Sequence, residues 1–267
     1  MKNAIIPDPI KQLDEIISKL LNKTPFTFVR FSDGETEIIR NRFLEINQGK
    51  TVFRGRIFDN KFPNFDKKKF DPKSDQKVRR DLLESAAFRK PGFIKGVPSS
   101  HNDALIDREL FVRLNGGITP EISFADLFLN SNYTRYKSEV VPLFGTYEKI
   151  YVIANYRAKL VGELSGGKVI SIPDNFFATY SEVKGEVINA IKEIESGSLV
   201  LSSASSLSNI VGYELAKIRD DITFIDVGTS INNLLSLDGN TRCYHDGNQS
   251  IVKRIKNKIF KGYNIKW

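Results

Sequence analysis

Cysteine and histidine are scarce in this 267-residue chain, which has one Cys (Cys243) and two His (His101 and His245). A lone cysteine closes no intramolecular disulfide, and so few soft ligands make no structural zinc cluster, so a reducing compartment is the expectation. Long apolar runs are missing too. No stretch approaches the roughly 18 uninterrupted apolar residues of a membrane span, and the N-terminal MKNAIIPDPIKQLDEIISKLLNK lacks the apolar core of a signal peptide. The expected location is cytoplasmic. Also absent are a Ser/His/Asp arrangement, a Walker loop, a HExxH zinc motif and a Gly-x-Gly-x-x-Gly fingerprint, which weakens hydrolase, kinase and dehydrogenase readings. What is present is ordinary for a globular chain, 40% apolar and 27% charged, and excludes disorder, collagen and coiled coil.

The formal net charge of +8 is unevenly placed. Residues 50–80 hold eleven Lys and Arg against four Asp, and residues 251–267 hold six basic residues and no acid. The remainder of the chain is therefore net acidic. A basic patch of this kind attracts polyanions in general, whether nucleic acid, anionic headgroups or the diphosphate of an activated substrate.

From about residue 92 onward, short β-rich runs alternate with helix-like stretches, the signature of βαβ units around a mainly parallel sheet. The runs are GFIKGVP (92–98), KIYVIAN (149–155), GKVISIP (167–173), SLVLSSA (198–204) and DITFIDVG (221–228). A sixth, PFTFVRF (25–31), follows an amphipathic helix with Leu13, Ile16, Ile17, Leu20 and Leu21 at helical spacing. Residues 101–147 read as two or three short helices broken at Gly116, Gly117 and Pro142. Residues 50–91 begin with aromatics, lysines and prolines without a period and read as an ordered but irregular basic insertion. The expected fold class is α/β, one Rossmann-like domain over 1–250 with a mainly parallel sheet flanked by helices, followed by a basic amphipathic helix over 251–267.

Strand 25–31 runs into FVRFSDGETEIIR. Carboxyl ends of parallel strands are where α/β proteins bind ligands, so Arg30, Asp33 and Glu35 are well sited for function. Two readings stand side by side. Asp33 and Glu35 can converge on a hard cation such as Mn²⁺ or Mg²⁺, which takes oxygen ligands and completes its shell with substrate phosphates. Equally, Ser32-x-x-Glu35 is a capping box that satisfies the first N–H groups of a helix. The loop SSASSLSN (202–209) offers Ser203, Ser205 and Ser206 either as phosphate-lining groups at a helix N-terminus or as simple caps.

Asp226 ends the last strand, where it can act as a base or hold a turn at Gly228. Asp174 and Asn175 end another strand ahead of Phe176, Phe177 and Tyr180, aromatics that fit a core and also a base- or sugar-stacking platform. His101 and Asp103 follow strand 92–98 as a candidate base pair or as part of a helix start. His245 reads as a solvated loop residue. The C-terminal helix, with Ile251, Ile255 and Ile259 on one stripe, fits docking on its own domain or peripheral contact with an anionic membrane.

The stretch FVRFSDGE resembles the signature R-F-G-D-G-E of the bacterial GT-D fold glycosyltransferases, a family first described as a domain of unknown function. Further blocks in the same order strengthen the likeness: IKGVPSS, VISIPDNFFATYSEV, and SLVLSSASSLSNIVGYELAKIRDDITFIDVGTSIN. Together they span most of residues 25–232. Ser32 stands where the family more often has glycine, and Thr229 stands where many members have histidine, so no role of that histidine carries over.

The resemblance implies a GT-D type fold and a metal-dependent transfer of sugar from a nucleotide-diphosphate sugar, with UDP the expected nucleotide, to a glycan, glycoprotein or lipid-linked acceptor. It also implies Asp33 and Glu35 as holders of metal and diphosphate, and a place in building a surface polysaccharide or decorating a glycoprotein. Beside it, Arg30 or a lysine of 50–80 is the expected counter-charge to the leaving group. Asp103, His101 and Asp226 are the candidate bases, and Ser203, Ser205, Ser206 and Asn175 the candidate donor contacts. Nucleic acid is not an expected partner. Two alternatives remain at this point: single-strand binding through the basic segment with Phe53, Phe58, Phe62, Phe65 and Phe70 as stacking groups, and a metal-dependent phosphotransferase.

Overall fold

Helix α1 (Pro9–Leu21) opens the fold for local reasons: Asp8 accepts the Ile10 N–H at 2.8 Å, and proline occupies the first helical position, where no N–H is needed. Its stripe of Leu13, Ile16 and Leu20 is buried against the sheet. The computed structural model describes residues 8–47, 49–59, 66–99, 104–129 and 132–237. The expected 251–267 helix, His101, Asp103, Phe62 and Phe65 lie outside the described residues.

The chain continues through β1 (Thr27–Arg30), α2 (Asp33–Ile39), the short strands β2 (Leu44–Asn47), β3 (Lys50–Phe53), β4 (Arg56–Asp59) and β5 (Lys68–Phe70), then α3 (Gln76–Ala87), β6 (Phe93–Val97), α4 (Ala104–Leu114) and β7 (Ile122–Phe124). A helical stretch follows, α5 (Tyr133–Arg135), a π-helical turn (Tyr136–Val140) and α6 (Val141–Phe144). The rest is β8 (Ile150–Asn155), β9 (Lys168–Ile172), α7 (Tyr180–Lys192), β10 (Leu199–Ser202), α8 (Ser206–Ile218), β11 (Thr223–Asp226) and a 3₁₀ stretch, Gly228–Leu235.

Seven strands form one sheet in the order β7-β6-β1-β11-β10-β8-β9, and every pairing in it is parallel. All six strands expected from the sequence are in it. The seventh, β7, falls within 101–147, a span expected to hold only helices and loops. Pro142 sits inside α6 near its start, where proline is tolerated, and does not break the chain there.

Side chains alternate faces along each strand. Val29, Val200 and Phe224 join one core with α3, α7 and α8, while Phe28, Leu199, Leu201 and Ile225 join the other with α1 and α6. Continuous apolar strands follow from this two-sided burial. Gly212 lets α8 lie close on the sheet, because a Cβ there would stand 2.6 Å from Val29 Cγ1 and 2.9 Å from Phe224 Cε1.

The basic insertion is more regular than its sequence pattern indicates. Its strands, joined by β2 from just before residue 50, form a separate antiparallel sheet, β4-β3-β2-β5. The β3–β4 hairpin turns on Arg54 and Gly55, both at left-handed φ (52° and 70°), as a tight two-residue turn demands. Arg54 also fastens the hairpin to the main domain, with Nη2 2.9 Å from Asp107 Oδ2, while Arg40 Nη2 reaches Asp107 Oδ1 at 2.9 Å. Glu37 is fully buried beside Arg42 and Arg54, and burial pushes its carboxyl above the ordinary range despite those cations.

Candidate active site

Because all seven strands of the main sheet point the same way, their carboxyl ends share one rim. The strand order places β1 beside β11, so Arg30 and Asp226, 196 residues apart in sequence, become neighbours. Arg30 Nη2 donates to Asp226 Oδ1 at 3.2 Å, and Nη1 reaches the Ala125 carbonyl at 3.4 Å. Asp226 is 3% exposed and also accepts the Gly228 N–H at 3.1 Å. Burial pushes its carboxyl up to about 6, with Glu35 adding to the rise and Arg30 opposing it. Glycine suits position 228: φ is +49°, and a Cβ there would fall on the end of the Arg30 side chain and displace it.

At the turn after β1, Glu35 Oε2 accepts both the Ser32 N–H (3.0 Å) and the Ser32 hydroxyl (2.7 Å), and Glu35 is buried. The capping role read from the sequence is therefore realised. Asp33 is exposed, its Oδ1 accepting the Gly34 N–H at 2.9 Å. Among the described residues no group of three or more His, Cys, Asp or Glu side chains is assembled to hold a metal ion. The donor chemistry here is one open carboxylate, Asp33, and a second, Glu35, with Oε2 committed to its own helix. Both offer the hard oxygens that Mg²⁺ or Mn²⁺ takes, and such a cation draws its remaining ligands from water and phosphate.

Beyond Asp226 the rim opens into a small cleft. Its walls include Asn155 from β8, Asp174 after β9, Ser203 and Ser205 after β10, Thr229 and Asn232 after β11, and Lys67 and Lys68 from the insertion. Lys68 Nζ donates to Ser205 Oγ at 3.0 Å, and the Lys69 N–H donates to Asn175 Oδ1 at 3.0 Å. Arg157 holds Asp174 in a two-point ion pair, and Asn155 Nδ2 donates to Asp174 Oδ1 at 2.8 Å. Hydrogen bonding from Arg157 keeps the Asp174 carboxyl below its ordinary range.

The sequence-derived candidates are thus distributed unevenly. Arg30, Asp33, Glu35 and Asp226 gather at the β1–β11 junction, and Ser203 and Ser205 line the cleft. Ser206 is fully buried behind the cleft wall, and Asn175 holds the insertion rather than facing the cavity. Phe176, Phe177 and Tyr180 are core residues, with Phe176 also forming part of the cleft. In the basic segment Phe70 is fully buried and Phe53 packs on the core, leaving Phe58 exposed among the described aromatics there. Sequence reasoning expected a lysine of 50–80 without singling out Lys68, and missed Asn155 and Arg157. Asn155 was findable, since it ends the run KIYVIAN at a strand's carboxyl end.

No family model and no curated protein matches the chain. Solved structures do. A structure of the domain of unknown function 1792, described as having a distinct glycosyltransferase fold, aligns at 14% identity over 81% of this chain and 76% of its own, with a TM-score of 0.51. A selenomethionine-substituted structure of that domain aligns at 14% identity over 82% and 77%, with a TM-score of 0.50. A glycosyltransferase from Streptococcus sanguinis with the same domain aligns at 15% identity over 82% and 80%, with a TM-score of 0.49. The chain has the fold of the first two.

Proposed function

We propose that this chain is a metal-dependent glycosyltransferase that moves a sugar from a nucleoside-diphosphate sugar, UDP-linked in the first instance, to a hydroxyl of a glycan, glycoprotein or lipid-linked acceptor. The observation that carries the reading is the placement of an open carboxylate (Asp33), a buried carboxylate of raised pKa (Asp226) and a cleft lined by Lys67, Lys68, Ser203 and Ser205 on one strand-end rim. The fold is consistent with it.

On this reading the acceptor oxygen attacks the anomeric carbon, the bond from that carbon to the diphosphate oxygen breaks, and the diphosphate leaves with the electron pair. The acceptor proton goes to a base. Asp226 is the described candidate, because a carboxylate whose pKa lies near 6 holds a proton better than an ordinary one at neutral pH. Arg30 keeps that carboxylate in place and balances its charge. Asp33, with the uncommitted oxygen of Glu35, would hold Mn²⁺ or Mg²⁺, whose chemistry when bound is to neutralise charge on the departing diphosphate. Glu35 also fixes the helix that presents Asp33.

Among the described residues no helix is long and apolar enough to cross a membrane. The deciding experiment is a panel of nucleoside-diphosphate sugars assayed for hydrolysis and transfer with and without Mn²⁺ or Mg²⁺. Turnover of at least one donor, dependent on metal and lost in Asp33→Ala, is expected. Failure of every donor to bind or turn over would overturn the assignment.

A further inference from the structure

We infer that Lys68, carried into the cleft by the insertion, is the cation that receives the diphosphate of the donor, on a cradle completed by Ser205 and Asn232. The inference rests on the nucleoside-diphosphate reading above and deepens it by placing the anion.

Of the many basic residues in the insertion, Lys67 and Lys68 line the cleft. Arg30 is already engaged with Asp226 and the Ala125 carbonyl, which leaves Lys68 better placed to meet an incoming anion. Its Nζ sits 3.0 Å from Ser205 Oγ. With Ser205 Oγ accepting from lysine, the serine's own proton is left to donate, and the ammonium retains two further N–H groups. Ser205 holds φ 52° and ψ −142°, a left-handed backbone that a non-glycine residue rarely adopts and that is held here in the cleft wall.

That serine is the N-cap of the 13-residue helix α8, whose positive dipole end faces the strand-end rim. Leu207 and Ser208 bond back to the Ala204 and Ser205 carbonyls, whereas the N–H group of Ser205 has no hydrogen-bond partner among the described residues. A second, independent sign comes from Asn232 in the cleft wall. It is 5% exposed, and its Nδ2 is buried with no hydrogen-bond partner among the described residues. Buried donors without acceptors are uncommon in folded proteins and mark places where a ligand or water supplies the oxygen.

Ammonium, hydroxyl, a backbone N–H group and a side-chain amide are all donors, and a multi-oxygen anion is the ligand that satisfies them together. Two carboxylates also line the cleft, Asp66 and Asp174. Asp174 is neutralised by Arg157, so the local field stays favourable to an anion.

Titration calorimetry on the full chain at fixed Mn²⁺ tests this with three probes: UDP, inorganic pyrophosphate and uridine. Lys68→Met is expected to weaken UDP and pyrophosphate about 10- to 100-fold, the range of a charge-assisted contact, and to leave uridine unchanged. Lys68→Arg should recover most of the loss, and Lys50→Met, which removes an exposed lysine of the same insertion, should change none of the three. Circular dichroism and thermal melting establish that each variant is folded. UDP and pyrophosphate affinities unchanged in a folded Lys68→Met protein would overturn the inference while leaving the glycosyltransferase reading intact. Wild type that binds pyrophosphate through Lys68 but no nucleotide would overturn the reading and keep the anion site, and wild type that binds no anion overturns both.

Discussion

Arg30 and Asp226 face each other across the junction of β1 and β11, Nη2 to Oδ1 at 3.2 Å, with Gly228 leaving room for the guanidinium. The pair is largely shielded from water, and removing either partner strands the other's charge.

Gly228→Ala should displace the Arg30 side chain, because the new Cβ would fall 1.8 Å from Nη2 and the backbone holds a positive φ. A loss of about 1–3 kcal/mol in unfolding free energy is expected from the strained backbone alone, together with a large drop in transfer rate. Denaturant unfolding and a donor-hydrolysis assay read the two effects separately; an unchanged rate would detach this junction from the chemistry.

Asp226 sets a pH dependence whose sign is fixed. Its folded pKa of about 6 lies above the ordinary 3.8, so between those values the folded state keeps a proton that the unfolded chain releases. The stabilising contribution is complete below about pH 4 and is lost as pH rises through 6, a change on the order of 3 kcal/mol at most by linkage. Unfolding free energies measured from pH 4 to 7 should fall more steeply in the wild type than in Asp226→Asn. As a base, the same group should give a transfer rate that climbs with pH through about 6.

Asp33 and Glu35 should separate by variant. Asp33→Ala leaves the cap intact and should alter stability by less than about 0.5 kcal/mol, as for an exposed residue, while abolishing metal-dependent turnover. Glu35→Ala removes both bonds to Ser32 and should cost about 0.5–2 kcal/mol, the range for loss of a cap. Glu35→Gln keeps an oxygen for Ser32 and should recover most of that stability without the charge. Thermal melts and turnover measured on all three variants decide; an active Asp33→Ala enzyme would remove Asp33 from the metal's holders.

Gly212→Ala tests the packing that brings α8 against β1 and β11. The added methyl meets Val29 and Phe224 at 2.6 and 2.9 Å, so the helix must shift or the core repack, at about 1–3 kcal/mol. An increase in melting temperature from the better helix former would show that the contact is softer than its distances imply.

Much of the main sheet was legible in the sequence because strands buried on both faces are written as unbroken apolar runs, as in KIYVIAN and DITFIDVG. β7 escaped notice because only Ile122, Ser123 and Phe124 form it, too few residues for a period to show. The antiparallel insertion escaped for a different reason: its hairpin turns on Arg54-Gly55, and arginine gives no turn signal where asparagine or aspartate would. At the site, acids at strand ends were visible as Asp33, Glu35 and Asp226. That Arg30 would meet Asp226 depends on strand order, and that Lys68 would reach Ser205 depends on how a separate sheet folds back, neither of which a linear pattern carries.

The insertion leaves the domain after α2 and returns to it before α3, yet lends Lys67 and Lys68 to a cavity whose other walls come from β8–β11 and the segments after them. One side of the cleft therefore comes from a second sheet that is anchored in the main core through Leu44 and Phe70. Exposed positions of that excursion can vary and reshape the cleft while these anchors, and the seven strands beneath them, keep their places.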